Sequence, residues 1–254
     1  MPTAGYRQRL RIASGRLTPT VQAVNCQLST LLPSSLIVKF GIIVFPGSNC
    51  DRDVVYVTRD LLGQPTRTIW HEETDLHDVD VVVIPGGFSY GDYLRCGAIA
   101  RFSPIMKQVI AHAEQGKYVL GICNGFQVLT EAGLLPGALV RNRDLHFICD
   151  RVPLQVEHTD SIWTQGYSNT PTINLPIAHG EGCYHADPDT LDRLESNGQV
   201  LFRYAGTNPN GSLNNIAGIC NETKNVIGMM PHPERAADPL LGNADGIHLF
   251  KSLI

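Results

Sequence analysis

The most constraining feature of this 254-residue chain is a cysteine placed where a strand pattern gives way to a helix pattern. The apolar run from Tyr118 to Ile122 predicts a short buried strand, and Asn124 to Glu131 predicts the start of a helix. Cys123 occupies the turn between them, flanked by glycines two residues before and two residues after it. Because such glycines let two backbones approach closely, the pattern predicts a nucleophile elbow that exposes a thiol at a helix N-terminus.

The thiol of Cys123 has two interpretations. At a helix N-terminus, unpaired backbone amides and the helix dipole favour a reactive thiolate. A single cysteine after an apolar run is, however, more often a small buried core residue. The elbow by itself therefore does not establish a nucleophile.

Strand and helix patterns alternate through the first half of the chain, which predicts right-handed crossovers and a parallel sheet covered on both faces. The predicted elements are strands at 40–45, 66–70, 79–84 and 118–122 and helices at 54–62, capped by Asp51, and 104–115. Beyond Gly133 the predicted elements are strands at 147–157, 173–178, 200–204, 216–220 and 226–230, without intervening helices, and a closing helix at 245–253. The predicted fold is a doubly wound, mostly parallel α/β sheet with antiparallel additions in the C-terminal half.

Composition excludes several classes of function. With 43% hydrophobic residues, 17% charged residues and a net charge of -4, the chain is typical of a globular protein without a nucleic-acid-binding surface. No run approaches the roughly 18 apolar residues of a membrane span. The seven cysteines include no C-x-x-C pair, so we expect no metal site and a reducing, cytoplasmic compartment.

Residues 1–37 differ from the rest because they contain four arginines and no acidic residue. This composition predicts a disordered extension. An organelle transit peptide is one interpretation, although amphipathic spacing is lacking. The other is an over-extended reading frame with a true start at Val38. Residues 38–254 are expected to form the working domain.

A glycine-rich loop, PGGFSYGD, follows the strand predicted at 79–84. In doubly wound sheets, ligands bind beyond the carboxyl ends of the strands, where this loop lies. Its glycines leave backbone amides unobstructed, and together with the amide of Asn124 they predict an oxyanion hole. A plain turn is the alternative, while a phosphate loop is disfavoured because no G-K-[ST] follows.

The tetrapeptide PHPE follows the strand predicted at 226–230. Each proline restrains the preceding residue to an extended conformation, so His232 and Glu234 are expected to project to one side. This arrangement predicts a base oriented by a carboxylate, with Cys123 as the nucleophile. Alone, the tetrapeptide is more typical of a surface turn, but its combination with the elbow and the glycine loop favours catalysis.

The segments GICNGFQ, IPGGFSYGD and PHPE resemble the class I glutamine amidotransferases, over residues 39–254. The resemblance implies a flavodoxin-like sheet. It also implies the site residues: the triad Cys123, His232 and Glu234, the oxyanion donors Gly87 and Asn124, and Gln127, which helps to bind substrate glutamine. The segment His179 to Gly182 is similar to a motif of the same family, and the alternative is a glycine turn with a solvated histidine and glutamate.

The segments FPGSNCDRD, GDYLRCGAIA, AHGEG and NPNGS are similar to the branch of the family that works in purine biosynthesis. This similarity implies that glutamine is hydrolysed to glutamate and ammonia. The ammonia would pass to a synthetase subunit that uses ATP and Mg²⁺ to convert formylglycinamide ribonucleotide to formylglycinamidine ribonucleotide, with a small bridging subunit. No cofactor is expected in this chain. Three alternatives stay open: a stand-alone cysteine hydrolase, the glutaminase of another pathway such as pyridoxal phosphate synthesis, and a non-catalytic regulatory subunit.

Overall fold

The computed structural model describes residues 37–254, and the prediction of a disordered extension falls on residues outside this range. The strands are β1 (Phe40–Val44), β2 (Thr66–Trp70), β3 (Val81–Ile84), β4 (Tyr118–Ile122), β5 (Ala138–Val140), β6 (Ile148–Val156), β7 (Thr172–His179), β8 (Cys183–His185), β9 (Val200–Tyr204), β10 (Ile216–Cys220) and β11 (Val226–Met229). The α-helices are α1 (Asp51–Val55), α2 (Pro104–Glu114), α3 (Asn124–Glu131), α4 (Pro188–Ser196) and α5 (Ile247–Lys251).

One nine-stranded sheet organises the described residues, in the order β2-β1-β3-β4-β11-β10-β9-β6-β7. The first five strands in this order are parallel. The remaining neighbours pair antiparallel. Strands β5 and β8 form a separate antiparallel pair. The prediction of a doubly wound, mostly parallel sheet with antiparallel additions is confirmed.

The centre of the sheet is buried on both faces. Every residue of β3 and of β11 is buried, as are the first four residues of β1. These strands are rich in valine and isoleucine, whose branched side chains fit a pleated surface packed from both sides. The core therefore includes the parallel strands and continues into the antiparallel strand β10, which is buried throughout.

The predicted direction of strand β11 was wrong. Its residues were expected to join the antiparallel additions, but β11 inserts beside β4 and runs parallel to it, with Val226 opposite Val119. Strand direction depends on how the preceding chain crosses the sheet, and that path is not encoded in the apolar run itself. The insertion brings the segment after β11 next to the elbow.

Helix α4 was not predicted, because no helix was expected between residues 133 and 245. Its N-cap is Asp187, whose Oδ1 accepts a 2.9 Å hydrogen bond from the amide of Thr190, and Pro188 follows at the first helical position. Both are standard helix-start signals. The helix buries only a narrow face around Leu194, so its apolar period is weak.

The first helix also differs from its prediction. Cys50, not Asp51, occupies the N-cap position, and Asp51 is the first helical residue. The predicted helix at 54–62 is in fact divided: α1 ends at Val55, and Tyr56–Leu61 continue as a wider π-helical turn. Within residues 37–254, none of the helices combines the length and the apolar character needed to cross a membrane.

Candidate active site

Cys123 lies in a sharp turn between β4 and α3. Its backbone has φ 52° and ψ −106°, a combination that a residue with a side chain rarely adopts. The turn is held because the Cys123 amide donates a 2.8 Å hydrogen bond to the carbonyl oxygen of Met229, at the end of β11. The thiol is 5% exposed, at the N-terminus of α3.

The two glycines of the elbow are required by close packing. A Cβ atom at Gly121 would lie 2.5 Å from Cδ1 of Leu129 and 2.7 Å from the carbonyl oxygen of Gly125. A Cβ atom at Gly125 would collide with the carbonyl oxygen of Ile84, in β3. Helix α3 thus rests directly on the backbones of β3 and β4, as the sequence predicts.

The His232–Glu234 pair follows β11. Nδ1 of His232 lies 2.6 Å from Oε1 of Glu234, and both side chains are buried. Glu234 is the second residue of a 3₁₀ turn at Pro233–Ala236, and the His232 amide donates a 2.8 Å hydrogen bond to the carbonyl oxygen of Pro176. Because the carboxylate accepts from Nδ1–H, it leaves Nε2 available to accept or deliver a proton.

Nε2 of His232 is buried and has no hydrogen-bond partner among the residues that the structure describes. Burial by itself lowers the pKa of this imidazole. The Glu234 carboxylate, together with the nearby thiols of Cys123 and Cys50, outweighs burial and raises the pKa well above its ordinary value. The arrangement therefore favours an imidazolium beside the Cys123 sulfur.

A cavity of about 150 Å³ opens over these groups. Its lining residues come from several loops and strands: Asn49, Cys50, Gly87, Phe88, Cys123, Phe147, Ala178, His232 and Arg235. A larger surface cleft of about 390 Å³ lies beside α4, but its lining includes no thiol or imidazole. The smaller cavity is therefore the candidate active site.

Two backbone amides, those of Gly87 and Asn124, are the predicted donors of an oxyanion hole. Gly87 has φ 146° and a β-bridge to Ser48, where an added Cβ atom would lie 2.8 Å from the Asn49 nitrogen. Asn124 is the first residue of α3. Neither the Gly87 amide nor the Asn124 amide donates to an acceptor within residues 37–254. Both are thus free to hold a negatively charged oxygen.

The same fold and segments occur in known proteins. Residues 38–245 match the CobB/CobQ-like glutamine amidotransferase domain. The phosphoribosylformylglycinamidine synthase subunit PurQ of Trichormus variabilis is 75% identical over 216 residues, which cover 85% of this chain and 96% of that subunit. The PurQ subunit of Acaryochloris marina is 70% identical over 224 residues, covering 85% and 95% of the two chains.

The chain belongs to the PurQ family of glutamine amidotransferases.

A solved structure is similar as well. A chain in the structure of PurLQS from Thermotoga maritima superposes with a TM-score of 0.78 and 41% identity, covering 86% of this chain and 98% of that chain. The match spans nearly the whole of the solved chain. The PurQ-family likeness therefore holds at the level of sequence and of fold.

Gln127 does not reach the cavity of this PurQ-family chain. Its Oε1 accepts a 2.9 Å hydrogen bond from Nδ2 of Asn124, and its Nε2 donates a 2.6 Å hydrogen bond to the carbonyl oxygen of Glu181. With 4% exposure and both ends engaged, Gln127 holds Asn124 and the segment at Glu181 together. The sequence-based expectation of a direct contact with glutamine stays a prediction.

Ser89 was missed by sequence reasoning. Its amide donates a 3.2 Å hydrogen bond to Oδ1 of Asn124, and its hydroxyl donates to the same oxygen. These bonds join the glycine loop that contains Gly87 to the start of α3. A serine two residues after Gly87 carries no distinctive pattern, so the link is visible only in three dimensions.

Cys50 and Arg235 were also missed. Nη2 of Arg235 donates a 3.0 Å hydrogen bond to the sulfur of Cys50, and Nε of the same guanidinium lies 3.3 Å from Oδ2 of Asp53. Cys50 follows β1, in the segment FPGSNCDRD. The rule that ligands bind at strand ends applies to this loop too, and it could have placed Cys50 in the site.

The segment His179 to Gly182 is not a solvated turn. His179 is 3% exposed, and its Nδ1 lies 3.1 Å from Oδ1 of Asn142. Burial, followed by the positive charge on His232, lowers the pKa of His179 to about 4. The Gly182 amide donates a 3.0 Å hydrogen bond to the same Asn142 oxygen, so both ends of the segment are bonded to Asn142.

Proposed function

We propose that this chain is the glutaminase subunit of a phosphoribosylformylglycinamidine synthase and that Cys123, His232 and Glu234 are its catalytic triad. One observation carries the proposal. The buried His232–Glu234 pair, joined at 2.6 Å, faces the strained elbow thiol across a cavity of about 150 Å³. The PurQ relatives, up to 75% identical, support the choice of pathway.

The first half of the reaction forms a thioester. The Cys123 thiolate attacks the side-chain carboxamide carbon of glutamine, and the amides of Gly87 and Asn124 hold the oxyanion. The tetrahedral intermediate then collapses, and Nε2–H of His232 gives its proton to the departing nitrogen, which leaves as ammonia. Glu234 keeps the imidazole in the required tautomer and stabilises its positive charge.

The second half releases glutamate. The neutral Nε2 of His232 removes a proton from a water molecule, which attacks the glutamyl thioester carbon. The carbon–sulfur bond breaks, the sulfur of Cys123 leaves as a thiolate, and His232 is again an imidazolium. The resting pair is thereby restored without any cofactor in this chain.

The ammonia is consumed by a partner. Free ammonia is mostly protonated at neutral pH and is then not a nucleophile, so a closed passage to the acceptor site is chemically useful. The acceptor is the PurL-type synthetase subunit, which uses ATP and Mg²⁺ to convert formylglycinamide ribonucleotide to formylglycinamidine ribonucleotide. A small PurS-type bridging subunit completes the complex. We place the reaction in the reducing cytoplasm, in line with the free cysteines between residues 37 and 254.

The rim of the cavity suits a protein partner. Phe88 and Phe147 line the cavity, are 47% and 55% exposed, and stack with ring centroids 6.4 Å apart. Tyr93 and Leu94, in the loop that follows, are 88% and 63% exposed. Exposed aromatic groups of this kind favour a face that a subunit covers.

The experiment uses Cys123→Ala in the complex reconstituted with its synthetase and bridging subunits. We expect glutamine-dependent synthesis to fall by at least about 10⁴-fold, while synthesis from ammonium salts stays near the native rate. Cys149→Ala, at an exposed position on β6, is the control. Equal loss with both nitrogen sources would show that Cys123 supports the fold and not the chemistry. Glutamate release that no synthase component alters would favour a stand-alone hydrolase.

A further inference from the structure

The hydroxyl of Tyr90 is bonded to two buried residues outside the cavity lining. Tyr90 belongs to the glycine loop, residues 85–92, which also contains Gly87, a proposed oxyanion donor. Its Oη lies 2.8 Å from Nδ1 of His71, directly after β2, and 2.7 Å from Oγ of Ser103. His71 and Ser103 are 8% and 5% exposed. The reaction as derived above uses none of these three side chains.

Ser103 is the N-cap residue of α2, but its side chain does not cap the helix. An N-cap serine commonly accepts a hydrogen bond from a backbone amide of the first helical turn. Within residues 37–254 the Ser103 side chain makes no such bond, and its hydroxyl contacts Tyr90 instead. The contact with Tyr90 is therefore made in place of a stabilising helix cap.

The backbone at the end of the glycine loop is in the left-handed region, with φ 58° at Tyr90, 73° at Gly91 and 50° at Asp92. Residues other than glycine rarely adopt this conformation, and they keep it only where surrounding contacts hold them. At Tyr90 those contacts include the two hydroxyl bonds and a 2.6 Å hydrogen bond from its amide to the carbonyl oxygen of Pro46. The hydroxyl therefore helps to hold the loop in an otherwise unfavourable conformation.

The orientation of the Gly87 amide depends on how both sides of Gly87 are held. Glycine at φ 146° has no Cβ atom to restrict rotation of its peptide. On one side, Gly87 is bridged to Ser48. On the other, Ser89 is bonded to Asn124, and Tyr90 follows directly. Tyr90 is thus the last fixed point of the short segment that begins at Gly87.

We propose that Tyr90, held by His71 and Ser103, is a positioning residue that keeps the Gly87 amide directed at the oxyanion. The inference rests on the proposed function, because the oxyanion forms only during glutamine hydrolysis. An oxyanion donor acts mainly on the transition state and little on bound substrate. Loss of the Tyr90 hydroxyl should therefore lower kcat and leave the KM for glutamine nearly unchanged.

Tyr90→Phe, which removes only the hydroxyl, is tested in the complex with the synthetase and bridging subunits. We expect kcat for glutamate release to fall about tenfold, with KM within about twofold of native. Tyr184→Phe is the matched control, because the Tyr184 hydroxyl donates a 2.9 Å hydrogen bond to the carbonyl oxygen of Pro136, outside the glycine loop. Its kcat should stay native.

Alkylation separates positioning from a general loss of structure. Iodoacetamide reacts with the Cys123 sulfur without forming an oxyanion, so Gly87 has no part in that reaction. The alkylation rate in Tyr90→Phe should therefore stay within about twofold of native while kcat falls. A variant that is merely misfolded would lose both rates together.

Variants of His71 test the bond itself. His71→Leu, which keeps the volume and removes the nitrogen, should also lower kcat, and the double variant with Tyr90→Phe should lose no more than Tyr90→Phe alone. His71→Asn should keep most of the native kcat, because asparagine can offer either an oxygen or an NH₂ group near the position of Nδ1. Losses that multiply in the double variant would contradict a shared bond.

Hydrogen exchange tests the anchor without glutamine. The amides of Phe88 and Tyr90 are bonded to the carbonyl oxygens of Gly47 and Pro46. In Tyr90→Phe the amides of residues 88 and 90 should exchange about tenfold faster, while those of β3 and β4 keep their native rates.

Three results would overturn the proposal: a native kcat in Tyr90→Phe, an equal fall in alkylation of Cys123, or native exchange at residues 88 and 90. The two proposals fail separately. A native complex that releases no glutamate contradicts the glutaminase, whereas the exchange rates still decide whether Tyr90 anchors the loop. An active complex whose kcat and exchange are unchanged by Tyr90→Phe contradicts only the role of Tyr90.

Discussion

Cys50 and Cys123 occupy similar places and differ in backbone and in sulfur contacts. Each is the N-cap of a helix that follows a parallel strand, and each faces His232. Cys50 has an unstrained backbone at φ −98° and ψ 4°, and its sulfur contacts Arg235 at 3.0 Å and Asn49 at 3.1 Å. Among the residues that the structure describes, the Cys123 sulfur has one hydrogen-bond contact, a weak one of 3.7 Å with the carbonyl oxygen of Ala178.

The difference indicates which features would select Cys123, the proposed nucleophile, over Cys50. A helix N-terminus and a neighbouring imidazole are common to both cysteines, so neither feature selects the reactive one. Burial raises the pKa of the Cys50 thiol by more than His232 and Arg235 lower it. The strained turn at Cys123, by contrast, presents a sulfur without committed partners. The features that distinguish Cys123 from Cys50 are therefore its strained backbone and the weak contacts of its sulfur.

The largest effect is expected from Glu234→Gln, which changes the imidazole that both thiols face. Without the carboxylate, burial dominates and the pKa of His232 falls, so the imidazolium is lost at lower pH. Glutaminase activity should drop by about 10³- to 10⁴-fold, and the alkaline limb of the rate profile should move to lower pH. The measurement is glutamate release from pH 5 to 10. An alkaline limb at the native position would contradict the role of Glu234.

Gly86→Ala should have the next largest effect, because the added methyl group would lie 2.7 Å from His232 and 3.0 Å from the Cys50 sulfur. Displacing the imidazole should lower the rate of glutamine hydrolysis by about a hundredfold. Gly180→Ala is the matched control, since its Cβ atom would have its nearest neighbour at 3.8 Å, in Phe147. Equal rates for the two variants would show that the crowding at Gly86 does not matter.

Alkylation compares the two thiols directly. Iodoacetamide should modify Cys123 at least about tenfold faster than Cys50, because the Cys123 sulfur has a weaker contact than the Cys50 sulfur, which is bonded to Arg235 and Asn49. The products are counted by mass spectrometry of peptides after short exposures. Substrate glutamine should protect Cys123 and leave the rate at Cys50 unchanged. Faster modification of Cys50 would reverse the assignment of the nucleophile.

The smallest expected effect is on the stability of the fold and concerns His179, whose pKa is shifted in the direction opposite to that of His232. His179 has a native pKa of about 4, below the ordinary value near 6.5. Between about pH 6.5 and pH 4, His179 is therefore protonated in the unfolded chain but neutral in the native chain. The contribution of His179 to the free energy of unfolding is fully present above about pH 6.5 and is lost as the pH falls toward 4. The total loss from this group is about 3 kcal/mol.

Urea unfolding of His179→Gln between pH 7 and pH 4 checks this expectation. The variant should lose less stability on acidification than the native chain, by about 3 kcal/mol at most. His185→Gln, at an exposed position on β8, should keep the native dependence. Identical pH slopes for the native chain and His179→Gln would remove His179 as the cause.

Sequence analysis located best the elements whose structure is determined by residues close to them in the chain. The bounds of β4 and the first residue of α3 were predicted correctly, because the apolar run and the flanking glycines lie within one short segment. The proximity of His232 to Glu234 likewise followed from prolines next to them. These features depend on neighbours in the chain.

The features that escaped prediction depend on distant residues. The parallel direction of β11 is set by the path of the chain across the sheet, and Cys50 gains its importance only when β1 lies beside β3 and β4. The engagement of Gln127 by Glu181 joins residues 54 positions apart. No pattern of spacing within one segment contains that information.

The place of β11 between β4 and β10 has a consequence for synthesis of the protein. The proposed nucleophile, Cys123, is made near the middle of the chain, but the proposed base, His232, follows β11, the last strand in chain order, which must insert into the centre of a sheet. Such pairing between distant segments is slow compared with local structure. A nascent or misfolded chain therefore holds the thiol without the base, and hydrolysis of glutamine reports that the final strand has been inserted.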